Sequence, residues 1–264
     1  MNKNIIKIAF VVDLVHLLFV IYMLNQTSKT NFSIFVFHID LNERARNIIR
    51  QLASSLRKEI HIIQVLDDAR YFDNQHISKA SFIRLQIPEL IKETFLYLDL
   101  DILPRKNWDE IEINGIESRK EIVWARQEWI SDNTNSKNQA RILSGDKYFN
   151  AGVMVVNPYL WIRENIANDI DKILPSYGSL GFENSDQCVL NYVLKGKVGF
   201  LSPSYNRLYL EPGIISAKFV HFAGTIKPWN FSLSTYLMYV SKEFIQYGKL
   251  REVKSRAMFF AYFQ

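Results

Sequence analysis

The chain has 264 residues, 48% of them hydrophobic and 22% charged, with a formal net charge of +5. That length accommodates one large α/β domain or a domain with a small appendage, and so apolar a chain with only 10 glycines and 7 prolines is not globally disordered. Its single cysteine, Cys188, excludes an intrachain disulfide framework and fits a reducing cytosol, while the modest positive charge suits an anionic substrate or membrane face and is weak ground for nucleic acid.

The first apolar stretch, 5–24, has nearly the length of a membrane span. However, Asp13 and His16 sit in its middle, and a charge at bilayer centre costs on the order of 3 kcal/mol. No small-x-small cleavage site follows, so it does not read as a signal peptide either. The expectation is a strand over 6–12, a turn at Asp13 and a helix over about 15–24. Further strand-like runs fall at 33–38, 60–65, 95–99, 122–125, 153–156 and Phe219–His221. Between them, 42–56 carries Ala45, Ile48, Ile49, Leu52 and Leu56 at helical spacing, with Asn42 as its cap. Similarly, 79–91 carries Phe82, Leu85, Ile87 and Leu90. The resulting β-α-β-α-β alternation predicts an α/β fold with a mostly parallel sheet and helices on both faces. In such sheets ligands sit at the carboxyl ends of the strands.

Asp13, Asp99 and Asp101 all fall on that edge. The last two end the run FLYLDLDILP, 95–104, in which an apolar strand runs into two aspartates one residue apart. Buried carboxylates need a partner, and hard oxygen ligands at the end of a strand suit Mg²⁺ or Mn²⁺. The alternative is a strand running out into a polar turn before Pro104. The fingerprints Gly-x-Gly-x-x-Gly and GxxxxGK[ST] are both absent, which leaves no dinucleotide signature and no P-loop. The polar segments 131–146 and 176–184 read as loops that shape an acceptor site. Beyond Trp229, residues 231–264 mix aromatics with Lys242, Lys249, Arg251, Lys254 and Arg256, which reads as a C-terminal helical extension. Such a tail suits an ordinary solvated helix or peripheral docking on an anionic membrane surface.

Four more stretches accompany the D-x-D: HISKASFIRL at 76–85, KYFNAGVMVVN at 147–157, SDQCVLN at 185–191 and HFAGTIKPW at 221–229. In this order and spacing, over about residues 5–230, they resemble the family-8 retaining glycosyltransferases, a group that includes glycogenin and bacterial lipooligosaccharide and lipopolysaccharide α-galactosyl- and α-glucosyltransferases. The resemblance implies a GT-A type nucleotide-diphospho-sugar transferase fold over 1–230, with a mixed, mostly parallel central sheet flanked by helices and 231–264 as an extension. It implies a metal-dependent transfer of galactose or glucose from a UDP-sugar to a saccharide or glycolipid acceptor, in the cytoplasm or at the inner face of the membrane. Asp99, Asp101 and His221 are then the ligands of Mn²⁺ or Mg²⁺. Nucleotide-sugar contacts fall to Val12, Asp13, His16, His76, Arg84, Asp99, Leu100, Ala151, Gly224 and Lys227, with Lys227 on the diphosphate. In the family's N-A-G turn, here Asn150, Ala151 and Gly152, small residues admit the sugar. Asp186 holds sugar hydroxyls, and Gln187 lies beneath the anomeric carbon. Asn150, Asp186 and Gln187 form the catalytic set.

The chain departs from the family in two places. Where the family's first strand ends in D-x-N-Y, this chain has Asp13-Leu14-Val15-His16. Val15 cannot hydrogen-bond a base edge, and the His16 ring replaces the tyrosine stack. The acidic residue that often follows the Asp-Gln pair is Cys188, read as a small packed side chain. The first departure motivates an alternative, a degenerate nucleotide-sugar-binding protein without turnover. A metal-dependent phosphohydrolase is the third class, although it normally needs more ligands than the sequence places near Asp99.

Overall fold

The computed structural model describes residues 5–11, 14–65, 79–111, 113, 119–128, 147–175, 185–209, 211–212, 214–223 and 227. The predicted turn at Asp13, Val12, His76, Gly224, the segments 131–146 and 176–184, and the extension 231–264 lie outside the described residues.

Ten strands are described: β1 Ile6–Val11, β2 Phe32–His38, β3 Ile60–Gln64, β4 Phe95–Leu98, β5 Ile102–Pro104, β6 Val123–Gln127, β7 Phe149–Val156, β8 Val198–Phe200, β9 Arg207–Leu208 and β10 Phe219–His221. Seven form the central sheet in the order β3-β2-β1-β4-β7-β6-β8. β3, β2, β1 and β4 run parallel, β7 is antiparallel to both β4 and β6, and β6 pairs parallel with β8. This is the mixed, mostly parallel sheet expected. β4 and β7 lie at its centre and are buried along their whole lengths, which explains why FLYL reads as an unbroken apolar run rather than an alternating one.

Helix α1, Leu14–Thr27, and helix α2, Glu43–Ser55, cover one face. Leu17, Leu18, Val20, Ile21 and Leu24 of α1 and Ile49 of α2 meet Ile6, Ile8 and Phe10 of β1 there. Both helices follow right-handed crossovers between neighbouring parallel strands that step in one direction, so they fall on one side. The other face is covered by residues 79–90 and by the helices Pro158–Arg163, Ile166–Ile173 and Ser185–Val193. The apolar stretch 5–24 thus divides into a strand and the start of a largely buried crossover helix, and no described helix is long and apolar enough to cross a membrane.

Several boundaries differ from expectation. Residues 79–91 are not one helix: Lys79–Leu85 is a 3₁₀ helix, and a separate turn of α-helix covers Ile87–Leu90. Pro88 has no N–H to donate four residues back, which breaks a continuous α ladder there. Asn42 caps α2 as expected, its side-chain oxygen accepting from the Ala45 N–H at 2.9 Å. The strand expected at 153–156 begins at Phe149, so Asn150, Ala151 and Gly152 lie in a strand and not in a turn. β6 extends to Gln127, past the expected end at Ala125, through a bulge between Ala125 and Arg126.

A second, three-stranded sheet, β5-β10-β9, was not expected as a unit. β5 leaves the central sheet directly after the two aspartates and pairs antiparallel with β10, placing His221 opposite Ile102. The Phe222 N–H then donates to the Asp101 carbonyl at 3.0 Å. Behind this sheet, Trp108 is fully buried between Phe32 and Phe219, with ring centroids 5.6 and 5.8 Å away, and its Nε1 donates to Leu24 O at 3.3 Å. The small sheet is therefore fixed to α1 and β2, and it carries a residue more than a hundred positions downstream to the end of β4.

Candidate active site

β4 ends at Leu98, and the chain turns through Asp99, Leu100 and Asp101 before β5 begins. This is the carboxyl edge of the parallel strands, where the ladder ends and side chains converge. Asp99, Asp101 and His221 each offer a ligand atom, and these atoms lie within 4.8 Å of one another. His221 Nε2 is 3.3 Å from Asp101 Oδ1. Lys227 Nζ donates to Asp101 Oδ2 at 2.6 Å and to Phe222 O at 3.2 Å. Burial works against ionisation of Asp101, but the contacts from His221 and Lys227 outweigh it and hold the carboxyl at about 2.

The donor set fits a hard or borderline divalent cation, with two carboxylates and one imidazole grouped at a strand end. Asp101 Oδ1 supports that fit, because it is buried without a hydrogen-bond donor and faces the imidazole. A cation between them would satisfy an atom that the protein leaves unsatisfied.

Beside this cluster, Arg84 links three elements. Its guanidinium forms an ion pair with Asp186, lies 3.4 Å from Asp99 Oδ1 and donates to Ala151 O at 3.1 Å. Asp99 also accepts from the Tyr97 hydroxyl at 2.8 Å. Burial disfavours the charged guanidinium, yet the carboxylates of Asp186 and Asp99 raise its pKa further. Burial pushes the Asp186 carboxyl up to about 6 against the pull of Arg84, and the Asp99 charge adds to the rise.

Asp186 and Gln187 stand in the first turn of the helix Ser185–Val193. Gln187 Oε1 accepts from the Ala151 N–H at 2.9 Å, while its Nε2 donates to the Tyr148 hydroxyl at 3.0 Å and to Glu128 at 3.2 Å. These bonds fix both orientation and rotamer. Asn191, one turn on, secures the helix by bonding both the N–H and the C=O of Phe149. Cys188 is buried within 3.5 Å of the Tyr148 hydroxyl, as a packed side chain.

Asn150 is buried, and its side-chain oxygen accepts from the Gly152 N–H at 3.0 Å and from Asn206 Nδ2 at 2.8 Å. Gly152 serves a neighbour beyond the sugar expected there. A Cβ on it would lie 2.4 Å from His221 Cε1 and 2.9 Å from His221 Nδ1, so this glycine seats the histidine ring.

The structure thus brings together Arg84, Asp99, Asp101, Asn150, Ala151, Asp186, Gln187, His221 and Lys227. Leu100 is half-buried and packs against the α1-side core, and His16 is half-buried in the first turn of α1. Sequence reasoning missed Glu128, Tyr148 and Asn206. Glu128 directly follows β6, whose carboxyl end lies on the same edge as that of β4, so extending the strand by two residues would have flagged it. Asn206 has no such signal, because it ends the short 3₁₀ helix Pro203–Asn206 in a segment without regular periodicity.

The sequence model of the family described as Glycosyl transferase family 8 matches residues 7–232. The Lipopolysaccharide 1,3-galactosyltransferase of Salmonella typhimurium is 26% identical over 230 residues, covering 80% of this chain and 67% of its own length. The Lipopolysaccharide 1,2-glucosyltransferase of Escherichia coli is 26% identical over 170 residues, 58% of this chain and 50% of its own. The chain therefore spans about two thirds of one relative and half of the other. Among solved structures, that of the galactosyltransferase LgtC in complex with donor and acceptor sugar analogs superposes with a TM-score of 0.75 at 21% identity, covering 95% of this chain and all of that one.

Proposed function

Since the chain belongs to glycosyl transferase family 8, we propose that it moves a hexose, galactose or glucose, from a UDP-sugar to a saccharide acceptor with retention of anomeric configuration. The fold is of the GT-A type, as the similarity to LgtC and the sheet order agree. The proposed acceptor is a lipopolysaccharide or lipooligosaccharide core or another surface glycan, in line with the names of the relatives. The observation that carries the reading is the convergence of Asp99, Asp101 and His221 within 4.8 Å, with Lys227 beside them.

In this reading Asp99, Asp101 and His221 hold Mn²⁺ or Mg²⁺, which when bound supplies charge neutralisation at the diphosphate. Lys227 exchanges its bond to Asp101 for the diphosphate oxygens, adding a preorganised positive charge where negative charge develops. Arg84 braces Asp99 and Asp186 together, and Asp186 holds sugar hydroxyls. Contacts with the nucleotide are proposed for Val12, Asp13, His16, His76, Leu100, Ala151 and Gly224, and with the sugar for Asn150. Gln187, beneath the anomeric carbon, is an amide with its oxygen occupied by the Ala151 N–H, which makes it a poor nucleophile for a double displacement. Transfer then proceeds on one face of the sugar: the bond from the anomeric carbon to the diphosphate oxygen breaks, the acceptor oxygen bonds to that carbon, and the departing oxygen takes the acceptor's proton. We assign the basic and aromatic extension 231–264 to an anionic membrane surface that presents the acceptor.

Release of UDP from UDP-galactose and UDP-glucose in the presence of Mn²⁺ tests the reading. Asp101→Asn is expected to fold normally by circular dichroism and to lose metal-dependent release. Phosphate release without sugar transfer would indicate a phosphohydrolase. Binding of UDP and Mn²⁺ with no release from any donor would indicate a degenerate binding protein.

A further inference from the structure

His221 has two ring nitrogens, and only the one without a proton can bind a cation. We propose that a relay of two amides, Asn150 and Asn206, anchored on the Gly152 backbone N–H, keeps the proton on His221 Nδ1 and leaves Nε2 as the ligand atom. The inference rests on the metal-site reading of Asp99, Asp101 and His221.

The direction of the relay is set by a group that has no choice. A backbone N–H can only donate, so the atom of Asn150 that lies 3.0 Å from Gly152 N must be its carbonyl oxygen. Asn206 approaches that same oxygen at 2.8 Å, and only its NH₂ can do so favourably. The Asn206 oxygen must then face the other way, where it lies 2.9 Å from His221 Nδ1. An amide oxygen only accepts, so Nδ1 carries the hydrogen. Amide orientation in proteins is ordinarily inferred from the surrounding network, and here the network ends on the main chain.

The relay is rigidly held. Asn206 is fully buried, and its backbone carbonyl accepts from Arg126 Nη1 at 2.6 Å. Arg126 is fixed in turn by Glu211 at 2.5 Å. Gly152 contributes twice, donating its N–H to Asn150 and lacking a side chain where the imidazole ring rests. With Nδ1 committed to Asn206, the lone pair of Nε2 points at Asp101 Oδ1, 3.3 Å away. A cation bound at this cluster would then meet Nε2 and not Nδ1. Asn206 and Asn150 are therefore positioning residues, acting through His221, in the way that outer partners of metal-bound histidines fix ring orientation.

Two measurements on the full chain test this. The first is long-range ¹H–¹⁵N NMR of histidine-labelled, metal-free protein at a pH where the ring carries one proton, with the His221 signal identified by its loss in His221→Gln. The expected wild-type pattern has the proton on Nδ1 and a bare Nε2. Asn206→Leu, which removes the acceptor, loses that pattern. The second is electron paramagnetic resonance of free Mn²⁺ during titration in the presence of UDP, where Asn206→Leu is expected to weaken binding by ~10- to 100-fold relative to wild type. A wild-type ring protonated only on Nε2 would overturn the relay whether or not the variants fold. Equal Mn²⁺ affinity in wild type and a folded Asn206→Leu would overturn it too. Failure of the wild type to bind Mn²⁺ at all would instead remove the metal site on which the relay acts.

Discussion

Single residues decide which groups meet at the end of β4. Gly152 is the least conspicuous of them and has the least freedom to change. A methyl group at this position would overlap the His221 ring at 2.4 Å, and the ring is confined on its other sides by Asn206 and Asp101. Gly152→Ala is therefore expected to displace His221, lower the melting temperature by an overpacking cost of about 1–3 kcal/mol and weaken Mn²⁺ binding, as read by thermal unfolding and metal titration. Unchanged Mn²⁺ affinity would show that the ring need not sit where it does. Lys227 acts on charge and not on packing. Lys227→Ala is expected to lower kcat for sugar transfer by ~10²-fold or more, as loss of a preorganised charge does. An effect confined to the KM for acceptor would remove Lys227 from the diphosphate.

The elements show how the site is supported from a distance. The loop after α1 is tied to the turn after β5 by Asp109, whose Oδ2 accepts from the N–H groups of Lys29 and Thr30 at 2.6 and 2.7 Å and from Ser28 Oγ at 3.2 Å. Burial alone would raise the Asp109 pKa, and these backbone donors outweigh it and bring it below the ordinary 3.8. A depressed folded value means that Asp109 contributes stability above pH 3.8 and loses it as the pH falls through the folded value. Denaturant unfolding of wild type and Asp109→Asn should show the largest difference at neutral pH, narrowing in acid. A difference independent of pH would contradict the account. Legibility in the sequence follows the same divide between regular and irregular segments. β1, β2, β3 and β4 announce themselves as apolar runs and α2 by its apolar period and Asn42 cap, and Asp99 and Asp101 stand out because carboxylates close a buried strand. Asn206, β5 and β9 do not, because two- and three-residue strands carry too few positions for a period to register; β10 reads as a strand at Phe219–His221 but its partners do not, and Glu128 lies past the bulge in β6. Pro88 was visible, and its missing N–H was the signal that 79–91 could not be one helix.

At the scale of the molecule, the central sheet supplies an edge and the small sheet delivers the third candidate ligand to it. β4 brings Asp99 and Asp101 to the carboxyl edge, β7 returns antiparallel with Asn150 and Gly152, and β10 crosses from the second sheet with His221. The three candidate ligands thus depend on two sheets that Trp108 fastens together, so the candidate metal site reports on the whole architecture. The central claim is that Asp99, Asp101 and His221 jointly hold the cation that meets the diphosphate of a nucleotide-sugar. Anomalous diffraction from a crystal soaked with Mn²⁺ and the UDP-sugar that turns over tests it most directly. The account predicts a single strong Mn²⁺ peak within coordination distance of both carboxylates and His221 Nε2, with diphosphate oxygens on its open side. A peak held by other residues, or ordered nucleotide with no metal between it and these three side chains, would contradict it.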